Sequence, residues 1–446
     1  MRKALPVFVC GFLLIAFLAA CTPVTATPDQ ADVATIVAST LEAASLNSSL
    51  PPASPEGSAD PSSSAHTSPP TLTVAYTVDG DLWSLSGMDA PVQRTRSGGI
   101  TSVLLSDDGR LALYIRSTED GDQELHSLDL SNGSDLLLFN QADLDALYPP
   151  DPGAMLRFDT TNLQFIPDSH QFFLSTRYEY EGPGASPNLD LFILNAENGD
   201  WRSLLDVDEG GRIFLSPDGT TMALTTPTSI RFASTDGTPL GDSRLTFDPV
   251  ITYSEYAYFP QVIWLPDSQA VLAVIPSPDP FAPDSSATIW RVPVSGPEPA
   301  ALQTFPGSLF MLDAFGQVWV DPTGGQIALL QAAGDGGERS LSIVPLGGGD
   351  ATFIAEGSLE WNGWSPDGSL FSYRTLGPDA MLMLADLEDV RAVIPGGIAL
   401  AWVDGGVVVL GGRTGDWTLF LHTLDGSTTN LATIPGDWVT YDAVTH

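Results

Sequence analysis

One short motif recurs seven times along the chain, and it limits the available folds more than any other feature. The copies are LSDDGRLALYI (105–115), FIPDSHQFFLS (165–175), LSPDGTTMALT (215–225), WLPDSQAVLAV (264–274), VDPTGGQIALL (320–330), WSPDGSLFSYR (364–374) and WVDGGVVVLGG (402–412). Each reads as the apolar end of one strand, a tight turn and a second strand. Proline presets φ near −65° at the corner. Aspartate bonds backbone two residues on, and glycine or serine relaxes the last position. The residues that follow are β-branched and aliphatic, suited to a pleated sheet. Self-similarity at this spacing marks an array of small, equivalent sheets.

A second element follows each corner: an apolar run closed by another turn, as in LHSLDLSNGS (125–134), LFILNAENGD (191–200) and LFLHTLDGS (419–427). One more copy, LWSLSG (82–87), precedes the first corner, so there are seven corners but eight of these third strands. The segments TVAYTV (73–78), LWSLS (82–86) and VQRTR (92–96) supply second, third and fourth strands without a first, while DWVTYDAV (437–444) is a strand with nothing after it. Placing Trp438–Tyr441 beside Thr73–Val78 predicts an all-β ring, a β-propeller of eight four-stranded blades whose last blade is closed by both chain ends. Residues 73–446 then give roughly 47 residues per blade. Seven blades is the alternative, should residues 212–245 or the terminal repeat prove degenerate. A closed ring leaves only short sheet edges.

The corner and third-strand patterns resemble the TolB-type and WD-like propeller repeats of bacterial envelope proteins, over about residues 73–446. The resemblance implies a propeller, usually with a binding role, and transfers no catalytic residues. Two corners depart from the pattern, DPTG (321–324) and VDGG (403–406).

The N-terminus sets the expected compartment. Arg2 and Lys3 precede an apolar run, Val7 to Leu18, that ends in Leu18-Ala19-Ala20-Cys21. This is the pattern of a secretory signal over residues 1–20, too short for a permanent span. Its ending resembles the bacterial lipoprotein signal, which implies cleavage before Cys21 and acylation of that residue. Two or three acyl chains anchor stably where one does not. The expected location is therefore extracytoplasmic, held to the cell-envelope membrane through the lipid on Cys21. Cys10 leaves with the signal, so the mature chain has no thiol free for a disulfide. Residues 21–72 read as a flexible linker: positions 22–72 are rich in proline and serine and lack aromatic residues, so they cannot bury enough apolar area to order themselves. Within them, Val33, Ile36, Val37 and Leu41 share a helical face, consistent with a transient helix over Asp32–Leu46.

The formal net charge is −38. Removing the signal takes Arg2 and Lys3 from the 17 basic residues and leaves 15 against 55 acids, or −40. Such a surface repels nucleic acid and anionic headgroups and favours a soluble monomer. Asp108, Asp168, Asp218, Asp267, Asp367 and Asp404 are turn formers first. One carboxylate per repeat is too few oxygens for calcium, so no cofactor is expected, and calcium is left as a weak alternative.

First strands line the axial channel of a propeller. Their polar members, Gln164, Arg212, Gln261, Gln317 and Asn362, with Ser102 and Thr440, are the candidate ligand contacts. Three insertions break the repeat: 140–162, with four aspartates; 248–260, with Tyr253, Tyr256, Tyr258 and Phe259; and the proline-rich 276–286. Long loops on a rigid scaffold carry recognition, and tyrosine is enriched at interfaces, so Tyr253, Tyr256 and Tyr258 join the candidates. The five histidines lack zinc-ligand spacing, and there is no GxSxG elbow, phosphate loop or nucleophilic cysteine. The reading is therefore a binding module for a protein, peptide or glycan partner. The alternatives are a propeller enzyme (hydrolase, lyase or quinoprotein) acting at the channel, or a structural spacer of the envelope.

Overall fold

The computed structural model describes residues 71–148, 153–180, 185–252, 257–280, 282–306, 317–332, 338–413, 416–436 and 440–446. The predicted signal, Cys21, the linker up to residue 70 and its helix lie outside them, as do Tyr253, Tyr256 and Trp438, whereas Thr71 and Leu72, expected in the linker, belong to the closing blade. The rest forms eight separate antiparallel sheets, an eight-bladed β-propeller. In blade 1 the strands are Ile100–Leu105, Leu111–Ser117, Gln123–Asp129 and Asp135–Phe139, paired in sequence order. Blades 3 to 7 repeat that order, starting at Arg212, Val262, Gln317, Leu359 and Ile398. In blade 2 the third strand is broken into Ala185–Pro187 and Leu191–Asn195, both paired with Gln171–Tyr180.

Blade 8 joins the two ends of the chain. Tyr441–Thr445 lies antiparallel to Leu72–Val78, with Tyr76 opposite Tyr441 and Leu72 opposite Thr445. The expected closure is present, and the strand that makes it runs on to Thr445. The pairing strand is Tyr441–Thr445, so it runs on past the expected Trp438–Tyr441, of which Trp438 and Val439 lie outside the described residues. Before Tyr441, the Thr440 carbonyl also accepts from Thr77 N at 2.9 Å. The other end is sealed by Thr71 and His446, whose backbones exchange bonds of 2.9 and 3.1 Å.

The second strand of each blade explains the apolar runs behind the corners. It has neighbouring blades on both faces, so both of its period-2 faces are buried. In blade 1, Leu111, Leu113 and Ile115 pack toward blade 2, whereas Ala112 and Tyr114 pack toward blade 8. In blade 3, Met222 and Leu224 face blade 2 while Ala223 faces blade 4. Eight apolar clusters result among the described residues, one for each pair of adjacent blades. The core is thus a set of interfaces around a ring, and no blade can bury its faces alone.

The corners are hydrogen-bonded as the motif requires. Ser106 Oγ donates to Asp108 Oδ1 at 2.6 Å and accepts from Leu111 N at 2.9 Å, while Asp108 Oδ1 also accepts from Arg110 N at 3.1 Å. Ser216 with Asp218, and Ser365 with Asp367, repeat this arrangement. The departing corner at 321–324 closes by a substitution of parts. Asp321 occupies the serine position and accepts from both Thr323 N at 3.1 Å and Gln326 N at 2.6 Å, doing the work of both residues. The corner at 403–406 is a two-residue turn with Val403 opposite Gly406. Both blades are regular four-stranded sheets.

Candidate functional site at the loop end of the ring

Antiparallel strands in sequence order put two kinds of connection at each end of the ring. First-to-second and third-to-fourth turns fall at the end that carries the corners. Second-to-third turns and the links between blades fall at the other, which we term the loop end. All three sequence insertions leave from the loop end. The first is not the plain loop expected from sequence. Gln141–Leu147 forms a short helix, α1, and Ala154–Phe165 is one long first strand whose outer half pairs with Ser175–Tyr180. α1 opens with a capping box between Asn140 and Asp143. The second insertion brings Tyr258 and Phe259 to the start of blade 4, and the third is the hairpin tip between Ala270–Pro276 and Ser286–Pro293.

The candidate residues divide into ties and free groups. Gln164 is a tie: its Nε2 donates 3.3 Å to Ile213 O on the first strand of blade 3. Its neighbour Asn162, which the sequence reading missed, does more. Buried in the irregularity between Asp159 and Gln164, it donates to Ser175 Oγ and Gly211 O, both at 2.8 Å, and accepts from Ile213 N at 2.9 Å. The only sequence signal for it is the break in apolar alternation at DTTN (159–162). Gln261 is exposed just ahead of the first strand of blade 4. Gln317 begins the first strand of blade 5, and its side chain lies outside the described residues. Asn362 occupies a bulge between Trp361 and Gly363, where its Oδ1 is buried with no partner among the described residues. Ser102 also sits beside a bulge, in the first strand of blade 1.

Arg212 and Tyr258 are the two predicted residues that the fold brings together. Gly210 and Gly211 deliver the chain to Arg212 through a gap with no room for side chains. A Cβ on Gly210 would meet Leu189 O at 2.3 Å, and one on Gly211 would meet Thr225 O at 2.5 Å. The Arg212 guanidinium then stands 5.0 Å from the centre of the Phe259 ring, within cation–π range. Phe259 is buried, and the Tyr258 hydroxyl donates 3.0 Å to Val274 O, which fixes this aromatic wall. Burial lowers the Arg212 pKa, while the charge of Asp159 opposes that shift. Burial pushes the Tyr258 hydroxyl upward, so it is a neutral donor.

Nearby, the fully buried Asp190 anchors the first insertion. It accepts from Thr176 N at 2.8 Å, Thr176 Oγ1 at 2.5 Å and Tyr148 OH at 2.9 Å. Burial raises its pKa despite those donors. At the corner end the carboxylates serve their own turns, and His170 bridges Asp108 and Glu197 at 3.0 and 3.2 Å, linking blades 1 and 2. Among the described residues no group of three or more His, Cys, Asp or Glu is placed to hold a metal ion.

No family model matches the sequence, and no curated protein matches it. Solved structures are similar in fold. A eukaryotic initiation factor shares 12% identity at a TM-score of 0.49, covering 85% of this chain and 98% of that one. TolB from Acinetobacter baumannii shares 15% identity at a TM-score of 0.35, over 72% of this chain and 63% of that one. The β-propeller domain of the Trilobed protease from Pyrococcus furiosus shares 12% identity at a TM-score of 0.44, over 75% and 97%. These likenesses concern the fold alone. The number of blades rests on the strand pairing itself.

Proposed function

We propose that this chain is an extracytoplasmic, lipid-anchored propeller that recognises a protein, peptide or glycan partner through the loop end of its ring. One observation carries the reading: the irregular insertions all leave from that end, while at the opposite end the carboxylates of the tight corners are bonded to their own turns, by serine hydroxyls and backbone N–H groups. A rigid ring that concentrates its variable segments on one face is organised to present that face. The linker and the acyl chains on Cys21 would hold it clear of the bilayer.

Two measurements test this. Metabolic labelling with a fatty acid should tag the wild-type chain and leave Cys21→Ser unlabelled and released from membranes; label retained by Cys21→Ser refutes the anchor. Pull-down from native envelope with the mature domain should recover a partner that is lost when residues 248–260 are replaced by a short turn. Recovery of the bait alone, or equal capture by the shortened variant, refutes recognition at this face.

A further inference from the structure

At the loop end the fold places Arg212 with the hydrogen-bonding edge of its side chain unused among the described residues. Burial lowers the pKa of three arginines, Arg94, Arg212 and Arg231. Arg94 compensates by donating 2.8 Å to Ser84 Oγ, and Arg231 by donating 3.4 Å to Gly210 O. The Arg212 side chain makes no hydrogen bond or ion pair among the described residues; its guanidinium lies over the ring of Phe259. Asp159 acts on it only through space, with one carboxylate oxygen already accepting from Thr161 N at 3.0 Å. Holding a cation part-buried with its donors unmet costs free energy that pairing with an anion would recover.

We propose that Arg212 is a receptor for a carboxylate, presented by a peptide through its free C-terminus or an acidic side chain; this rests on the reading of the loop end as the recognition face. The guanidinium lies over the Phe259 ring at 5.0 Å, and its planar N–H fork matches a carboxylate bidentately. The net charge of the domain decides between anions. A field set by −38 over the whole sequence penalises a doubly charged phosphate about twice as much as a singly charged carboxylate. Gln261, exposed at the head of the next blade's first strand, supplies an amide on the same rim for a peptide backbone. The fixed aromatic wall of Phe259 and Tyr258 suits an apolar side chain beside the acid.

The test is a titration of the mature domain followed through arginine Nε–Hε resonances, with the Arg212 signal assigned from its absence in Arg212→Lys. The probes are acetyl-dialanine with a free C-terminus, the same peptide as its amide, galacturonate and inorganic phosphate, at matched ionic strength. The free acid should shift the Arg212 resonance saturably, the amide should not, and phosphate should bind more weakly. Arg212→Lys should retain the wild-type melting temperature and bind the free acid about tenfold less tightly, the loss of one charge-assisted bond. Equal binding of acid and amide, tighter binding of phosphate, or no shift up to about 100 mM peptide, beyond the millimolar range of even weak specific contacts, would overturn the proposal. A shift with galacturonate but not with the peptide would overturn the peptide source. Because the titration uses no envelope partner, its failure leaves the pull-down result standing, and the converse holds.

Discussion

Replacing Gly109 by alanine probes whether the clasp between the chain ends supports the ring. Gly109 sits in the first corner with φ of +64°, a left-handed conformation that costs an L-residue about 1 kcal/mol. An added Cβ would also lie 2.7 Å from His446 Cδ2 and Nε2 and 2.9 Å from Thr73 Oγ1. The His446 ring must therefore swing away and give up its 3.1 Å bond to Thr73 Oγ1, worth about another 1 kcal/mol. Lost packing brings the total to roughly 2–3 kcal/mol. At about 2 cal/mol/K per residue over a domain of this length, that is a fall of roughly 3 °C in melting temperature. The decisive assay is a double-mutant cycle with His446→Ala, read by denaturant and thermal unfolding of the mature domain. With the ring absent only the backbone strain and the Thr73 contact remain, so Gly109→Ala should cost about 1 kcal/mol less in that background. Additive effects, within about 0.5 kcal/mol, would refute the contact between the first corner and the last residue, and with it the register of the closing strand.

Two further outcomes follow from the same geometry. Gly211→Ala should destabilise by about 1–3 kcal/mol through its collision with the Thr225 carbonyl, and should weaken carboxylate binding by displacing Arg212; unchanged unfolding and binding would contradict the close passage between blades 2 and 3. Stability against pH should show two opposed components. The Asp218 carboxylate is held below its usual range by its bond from Ser216, and Asp367 by its bond from the Ser369 backbone, so the stability they give is present above about pH 4 and is lost as pH falls below it. Burial raises Asp190, so its contribution runs the other way, present at low pH and lost as pH rises through its folded value. The melting-temperature difference between Asp190→Asn and wild type should therefore be more positive at pH 7 than at pH 4, and the reverse order would contradict its burial as a charged group.

The corners were legible because a tight turn is local chemistry. The Ser-x-Asp pattern determines its own hydrogen bonds within five residues, and the strand behind it is largely apolar on both faces because two blades sandwich it. Repeating that unit fixes a ring, and one unmatched strand at each end of the chain already implied that they meet. Even the irregular corner at Asp321 obeys the same demand for acceptors.

Register and choice of partner were decided by tertiary structure. The closing strand sets Tyr441 opposite Tyr76 because Tyr76, Val74 and Leu72 pack against blade 7, a constraint from residues more than 300 positions away. Asn162 could not be singled out, since its partners Gly211 and Ile213 belong to another blade and only the packed ring sets them within bonding distance. Likewise Gln164 and Arg212 are both polar residues of inner strands, equivalent to any reading by periodicity. One became a tie and the other a free cation because of what the adjacent blade placed beside each: a backbone carbonyl for Gln164, an aromatic ring for Arg212.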